Sequence, residues 1–239
     1  MAVLKARSRA LAALEREIAA CRRCPRLVEW REEVSREKRA AYRDEVYWGR
    51  GVPGFGDPAA RLLIVGLAPG AHGANRTGRM FTGDRSGEWL YRALHRAGFA
   101  NQAASERRGD GLLVADAYIA AAVRCVPPGN RPEAREQAAC STFLSREMGL
   151  LGDVKVVVTL GGVAFARTWS VLKERAVAFP TPRPRFTHGL ELPLPDGRTL
   201  LGCYHPSQQN TFTGRLTEPM FDAVWSRARA LVDAAVDEP

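Results

Sequence analysis

Two pairs of cysteines are the residues whose type and spacing point most directly to chemistry. Cys21 and Cys24 form a Cys-x-x-Cys pair, and Cys125 and Cys140 form a second, wider pair. Four thiolates can hold a zinc ion or an iron–sulfur cluster. Zinc fingers usually combine two tight pairs, and only one pair is tight here, so the spacing favours a cluster. The alternative makes Cys125 and Cys140 small buried hydrophobic residues, as we expect for Cys203 in its apolar run.

A glycine-rich loop, from Gly66 to Asp84, is the second candidate for chemistry. It matches neither the G-x-G-x-x-G dinucleotide fingerprint nor a P-loop, because no Gly-Lys-Ser/Thr follows. Its glycines still let backbone amides approach a ligand closely. Phe81 either packs in the core or stacks on a planar ligand, and Arg76 and Arg79 either contact phosphate or are solvated.

Two further polar loops follow apolar runs of the sequence. One begins at Tyr204-His205 and continues to Thr217, and the other carries Asn130 shortly after Cys125. In open α/β sheets, ligands bind at the carboxyl ends of the strands. The three loops are therefore expected to form one site, with a purely structural His205 as the alternative.

Strands alternate with helices along most of the chain, which indicates a mostly parallel sheet covered on both faces. The first forty residues are charged and predict two helices, whereas Arg175–Pro195 is a proline-rich connection. Strands are predicted at 61–66, 117–123, 154–160 and 200–204. Further helices are predicted at 86–98 with Ser86 as N-cap, at 132–148 with Pro132 in the first turn, after Gly161-Gly162, and at 218–236.

Composition limits the class of protein. The chain has 239 residues, of which 46% are hydrophobic and 26% charged, so wholesale disorder is excluded. No apolar run approaches the roughly 18 residues of a membrane helix, and the charged N-terminus predicts a cytoplasmic protein without a membrane partner. The net charge of +9 makes a polyanion a reasonable partner. A monomer is the default expectation.

These motifs together resemble the uracil-DNA glycosylase superfamily, from Cys21 to Thr217. The four cysteines are similar to those of its iron–sulfur branches, families 4 and 5. Family 4 has an acid in the motif that here is Gly66-Leu-Ala-Pro-Gly70, and a base-reading Asn where this chain has Ala121. Both departures, and the close match of residues 205–217, resemble family 5.

The resemblance implies a three-layer α/β/α sandwich with a central, mostly parallel four-stranded sheet. It implies one domain over residues 1–239, whose N-terminal helices, about 1–45, carry two cluster ligands. The implied reaction is hydrolysis of the N-glycosidic bond of uracil in DNA, and also of hypoxanthine and xanthine, which leaves an abasic site. The implied substrate is double-stranded DNA containing deaminated bases, with single-stranded DNA as a second form. The implied cofactor is a structural 4Fe–4S cluster on Cys21, Cys24, Cys125 and Cys140.

The resemblance also suggests roles for individual residues. His205 would donate a hydrogen bond to the departing base, Asn130 would hold the attacking water, and Asn75 is a further catalytic candidate. The remaining candidates are Gly66, Leu67, Ala68, Gly70 and Phe81 for substrate binding, and Gln208, Gln209, Asn210 and Arg215 for DNA binding.

Two other classes of protein share some of these features. A non-catalytic, metal-stapled nucleic-acid-binding module would account for the cysteines and the charge, but it leaves the three loops without a task. A redox enzyme that uses the cluster for electron transfer is disfavoured because no nucleotide fingerprint accompanies the cysteines.

Overall fold

The computed structural model describes residues 2–175 and 179–235. Six strands form one sheet: β1 (Phe55–Gly56), β2 (Leu62–Gly66), β3 (Ala117–Ala121), β4 (Val156–Leu160), β5 (Leu190–Pro193) and β6 (Thr199–Cys203). The helices within these residues are α1 (Ala2–Ala20), α2 (Pro25–Glu37), α3 (Ala74–Thr77), α4 (Arg85–Arg96), α5 (Ala134–Leu150), α6 (Gly162–Arg175), α7 (Gln208–Phe212) and α8 (Glu218–Ala234). Short 3-10 turns lie at Ala40–Tyr42 and Pro128–Asn130.

The four predicted parallel strands form the centre of the sheet. The strand order is β1-β3-β2-β4-β6-β5, and β2, β3, β4 and β6 are mutually parallel where they pair. Gly66 pairs with Ala121 and Leu160 with Cys203, so these strands end at one common edge. The sheet is larger than the predicted four strands, because β1 and β5 extend it as antiparallel edges.

Side chains alternate between the two faces of the sheet, as a strand's period of two requires. Leu62 and Ile64 pack in one apolar core with residues of α4 and α8, including Trp225. Leu63 and Val65 pack in a second core with residues of α1, α5 and α6. The two cores confirm the expected three-layer α/β/α arrangement.

Several predicted boundaries are corrected by the local hydrogen bonds. Helix α4 is capped by Asp84 rather than Ser86, because a carboxylate oxygen of Asp84 accepts the N–H of Gly87 at 2.9 Å. Helix α5 follows Pro132 instead of including it, since Glu133 and Glu136 form a capping box.

The segment expected to be a structureless connection contains β5, and the expected end of the last helix at Val236 lies outside the described residues. Cys203 is fully buried, which confirms its predicted place in the core. Within the part of the chain that the structure describes, no helix has the length and apolarity needed to cross a membrane.

Candidate active site

His205 follows β6 after one residue, Tyr204, and lies at the common edge where the parallel strands end. Its ring packs against the ring of Phe81, with the centroids 5.9 Å apart and the planes inclined by 33°. Burial alone lowers the pKa of His205 from 6.5 to about 4, so the imidazole is neutral at pH 7. A neutral imidazole keeps one N–H donor and one acceptor nitrogen. The ring geometry thus brings together His205 and Phe81, two of the residues predicted for the site.

Phe81 is held in an unusual backbone conformation by two glycines. Its φ of +53° lies in the left-handed region, which a bulky residue seldom adopts. A Cβ at Gly66 would lie 2.8 Å from the Phe81 ring, and one at Gly87 would lie 1.9 Å from the Phe81 carbonyl oxygen. Gly66 and Gly87 thus allow the loop to pack tightly around Phe81. Such strain often accompanies a functional constraint.

The opening of the glycine-rich loop continues the sheet. The carbonyls of Gly66 and Leu67 accept hydrogen bonds from the amides of Ala122 and Val123, both at 2.9 Å. Ala68 is half-buried and packs against the apolar residues around the cysteines. Gly70 is also partly exposed. These contacts fix the backbone that was predicted to bind the substrate.

Asp84 is a candidate functional residue that the sequence analysis did not identify. Its other carboxylate oxygen points into the loop, because a Cβ added at Gly70 or Gly73 would lie 3.0 or 2.0 Å from it. Burial raises the pKa of the Asp84 carboxyl. Ser86, in the first turn of α4, donates from its hydroxyl to the carbonyl of Pro206 at 3.1 Å. This bond joins the Asp84 turn to the His205 loop.

The loop after His205 is ordered by local capping. Asn210 donates from its side-chain amide to the carbonyl of His205 at 2.9 Å, so Asn210 holds the loop in shape. Gln208 and Gln209 are exposed at the start of α7, as contact with DNA requires. Arg215 is exposed, and its guanidinium lies 4.7 Å from the centre of the Tyr204 ring.

His188 supports this strand end from the segment in which the sequence showed no function. Its Nδ1 accepts the N–H of Tyr204 at 3.1 Å, and its Nε2 lies 3.2 Å from the carbonyl oxygen of Met220. These partners place the proton on Nε2. The His188 ring also lies 5.1 Å from the Tyr204 ring, centroid to centroid. His188 therefore links α8 to the residue that precedes His205.

The two predicted catalytic asparagines differ in burial and in contacts. Asn130 is exposed in the turn after β3, with a φ of +57°, and its catalytic role stays a prediction. Asn75 is fully buried, and its amide donates to the carbonyl of Arg31 at 3.2 Å. This contact belongs to the packing of α3 on α2, so it lends no support to a catalytic Asn75.

The two arginines of the loop are buried and paired, which is neither the phosphate-binding nor the solvated alternative. Arg76 forms an ion pair with Glu45 and donates to the carbonyl of His72 at 2.7 Å. Arg79 bonds Asp110 at 2.6 and 2.8 Å and lowers the pKa of that carboxyl against the opposing effect of burial. Both arginines brace the loop.

The four predicted cluster ligands line one cavity. Cys21 follows α1, Cys24 precedes α2, and Cys125 and Cys140 come from the end of β3 and from α5. All four are free thiols. Within residues 2–175 and 179–235, no three His, Cys, Asp or Glu side chains are close enough to hold a single metal ion.

Buried arginines surround these thiols. Arg31, which is 2% exposed, donates to Cys125 Sγ at 3.0 Å and to the Cys21 carbonyl at 3.0 Å. Its Nε has no hydrogen-bond partner among the described residues. The backbone N–H of Arg124 donates to Cys140 Sγ at 3.2 Å. An arginine without an acidic partner among the described residues and N–H donors aimed at sulfur fit an anionic thiolate-bound group.

Comparison with known proteins agrees with this geometry. Residues 53–229 match the family model described as the uracil DNA glycosylase superfamily. The chain is 55% identical over 215 residues to a type-5 uracil-DNA glycosylase of Mycobacterium bovis, covering 90% of this chain and 79% of the relative. Type-5 uracil-DNA glycosylases of Mycobacterium leprae and Thermus thermophilus are 53% and 52% identical, covering 91% and 90% of this chain and 94% of each relative. The chain belongs to the uracil DNA glycosylase superfamily.

Proposed function

We propose that the protein is a DNA repair glycosylase that hydrolyses the N-glycosidic bond of uracil in DNA and leaves an abasic site. The observation that carries this proposal is the half-buried His205 packed against Phe81 at the end of the parallel strands. The family membership and the names of its relatives support the same activity.

Access to the bond requires that uracil leave the duplex. Flipping a base costs a few kcal/mol, which contacts with phosphate and with the extruded base offset. Phe81 stacks on the flipped ring, since every base has a π-face. The exposed Gln208 and Gln209 occupy the gap left in the helix.

Breaking the bond leaves negative charge on the base, mainly at O2, and positive charge on the sugar. His205 donates a hydrogen bond to that oxygen, and the bond strengthens as charge develops. Because its pKa is about 4, His205 donates as a neutral group without competing ionisation near pH 7. Backbone amides between Gly66 and Gly70 add to this stabilisation.

The attacking water needs a residue to position it, and Ala68 has no polar atom for that task. Asn130 holds the water in the arrangement that the family resemblance implies. Asp84 is the second candidate, since the carboxylate of this half-buried residue enters the glycine-rich loop from the α4 turn. If the glycosidic bond breaks before the water attacks, either residue needs only to position the water and does not need to be a strong base.

We extend the proposed substrates to hypoxanthine and xanthine. Ala121 is buried at the end of β3, where it offers a methyl group in place of a base-reading amide. A site that lacks a hydrogen-bonding reader discriminates less strongly between bases. Purines with the same flipped geometry are therefore accepted.

We further propose a 4Fe–4S cluster on the four cysteines. Cys21, Cys24, Cys125 and Cys140 would hold it, and Arg31 would offset its negative charge. When bound, the cluster supplies a covalent link between the two N-terminal helices and the sheet.

An excision assay tests the proposed activity. The protein is incubated with a labelled duplex that contains one uracil, and alkali then cleaves the strand at each abasic site. We expect a single alkali-dependent product, and none from the same duplex with thymine. Single-stranded substrate and duplexes with hypoxanthine or xanthine define the range of substrates. Binding to the uracil duplex without any product would favour the non-catalytic module instead.

A further inference from the structure

A groove lined by arginines lies between α1, α2 and residues 47–50. We call it the arginine groove, and its five arginines are Arg16, Arg22, Arg31, Arg36 and Arg50. Its volume of ≈ 710 Å³ lies within the roughly 300–1,000 Å³ of most ligand sites. The charge of its lining, rather than its size, indicates the kind of occupant.

The charge of the arginine groove is largely uncompensated. Arg16, Arg36 and Arg50 are exposed, and none of them has an acidic partner in the described part of the chain. Glu32 is the one acidic side chain of the lining, and it pairs with Arg22. Elsewhere on the surface, by contrast, Arg227 is paired with Glu191. The groove thus presents a concentrated positive field.

The arginine groove lies at the same edge of the sheet as His205. The N–H of Trp48 donates to the Arg76 carbonyl at 2.8 Å, and the N–H of Gly49 donates to the Asn75 carbonyl at 3.1 Å. The wall of the groove is therefore attached to the glycine-rich loop. Val52 continues this attachment to the end of β3, where its N–H donates to the Arg124 carbonyl at 2.7 Å.

We propose that the arginine groove binds the phosphodiester backbone of the DNA duplex beside the flipped base. Exposed guanidinium groups bind phosphate through paired N–H donors, and such contacts hold the register of a duplex without reading its sequence. This inference rests on DNA as the substrate. It adds a second contact surface to Gln208, Gln209 and Arg215, on the side of the N-terminal helices.

A triple variant with Arg16→Ala, Arg36→Ala and Arg50→Ala tests the proposal. Its affinity for a fluorescein-labelled uracil duplex is measured by anisotropy at several salt concentrations. Each phosphate contact contributes about 0.9 to the slope of log K against log salt, so the slope should become shallower by about 2 to 3. Affinity at low salt should fall roughly tenfold or more, because three charge-assisted contacts are lost.

The matched control removes three charges from the opposite edge of the sheet. Lys5, Lys155 and Lys173 are exposed, and Lys155 directly precedes β4 while Lys173 lies near the end of α6. Arg7 pairs with Asp153, which places the start of α1 near this edge as well. The variant Lys5→Ala, Lys155→Ala, Lys173→Ala should bind with nearly the wild-type salt slope.

Three readouts separate the outcomes. In the arginine variant, the single-turnover rate constant at saturating DNA should stay within about twofold of wild type, since the groove is not in the chemical site. Equal salt slopes for the arginine and lysine variants would overturn the proposal. A folded arginine variant that loses the saturating rate but not affinity would also contradict it. Since anisotropy is measured without base excision, an inactive wild-type protein would contradict the proposed activity and leave this test intact.

Discussion

The His205 site and the cysteine site are both at the carboxyl edge of the sheet, yet they are built from opposite electrostatic elements. The buried Arg31 donates from its guanidinium to Cys125 Sγ. The buried Arg124 donates to Cys140 Sγ through its backbone N–H, while its guanidinium pairs with Glu147. By contrast, the pKa of His205 is lowered by burial alone, with no contribution from a charged group.

Under the proposed function, the difference follows from how long each negative charge would last. A thiolate-bound cluster carries its charge permanently, and a permanent charge away from water needs permanent cations or donors. The anion of a departing base exists only around the transition state. A neutral donor stabilises that transient charge, and it does not favour the ground state by the same amount.

Removing a cysteine thiol should produce the largest effect of the four changes. That effect should be confined to the cysteine site. Wild-type protein with the proposed cluster should be brown and contain iron and acid-labile sulfide, and Cys125→Ala, which removes the sulfur that Arg31 contacts, should lack all three. Cys203→Ala is the matched control, because Cys203 is buried in the apolar core away from the cavity. Iron retained in Cys125→Ala would remove Cys125 from the ligand set, and stoichiometric zinc in colourless wild-type protein prepared without oxygen would rule out the cluster.

Removing the neutral donor should lower the rate and leave the iron in place. His205→Ala should reduce the single-turnover rate constant for uracil excision by roughly 10²-fold or more, as for loss of an oxyanion-type donor. His95→Ala, at an exposed histidine of α4, is the control and should excise at the wild-type rate. If His205→Ala kept that rate, His205 would not be the donor.

Displacing Phe81 should have a smaller effect. Gly66→Ala places a methyl group about 2.8 Å from the Phe81 ring, so the ring must shift away from the flipped base. We expect a roughly tenfold lower single-turnover rate constant, because small misplacements at a reacting centre are costly. Gly149→Ala is the control, since its methyl group would meet only the guanidinium end of Arg175. Equal rates for the two variants would show that Phe81 does not need its present position.

The smallest effect is expected at His188, which touches the site only through Tyr204. His188→Phe removes the acceptor for the Tyr204 N–H, at a cost of about 1 kcal/mol, or roughly fivefold in rate if the strand end moves. His188→Asn supplies a side-chain oxygen near the position of Nδ1 and should restore most of that rate. An Asn variant as slow as the Phe variant would argue against a positioning role.

Sequence patterns predicted the centre of the fold better than its edges. The β-branched run of β4 is buried at every position, which is what a continuous apolar run indicates. Strand β5 was missed because it alternates between half-buried and exposed residues and contains Pro193. β1 is only two residues long, Phe55–Gly56, and a pair of residues has no detectable period.

The candidate site was likewise predicted only in part from the sequence. His205 and Phe81 could be predicted because each lies in a loop directly after a strand or in a glycine-rich motif. Arg79 and Arg31 could not be placed, because their partners Asp110 and Cys125 are distant in sequence. Asp84 was missed because its carboxylate is recognisable as a loop residue only once the contacts of Gly70 and Gly73 are known.

The protonation state of His205 tests the central claim most directly. The chain has four histidines, so NMR titration of labelled imidazoles, with assignment through His205→Ala, can follow each one. We predict that His205 remains neutral from pH 8 down to about pH 5 and titrates with a pKa of about 4, because burial disfavours its charged form. A His205 pKa at or above the ordinary 6.5 would contradict a neutral donor poised for a transient anion.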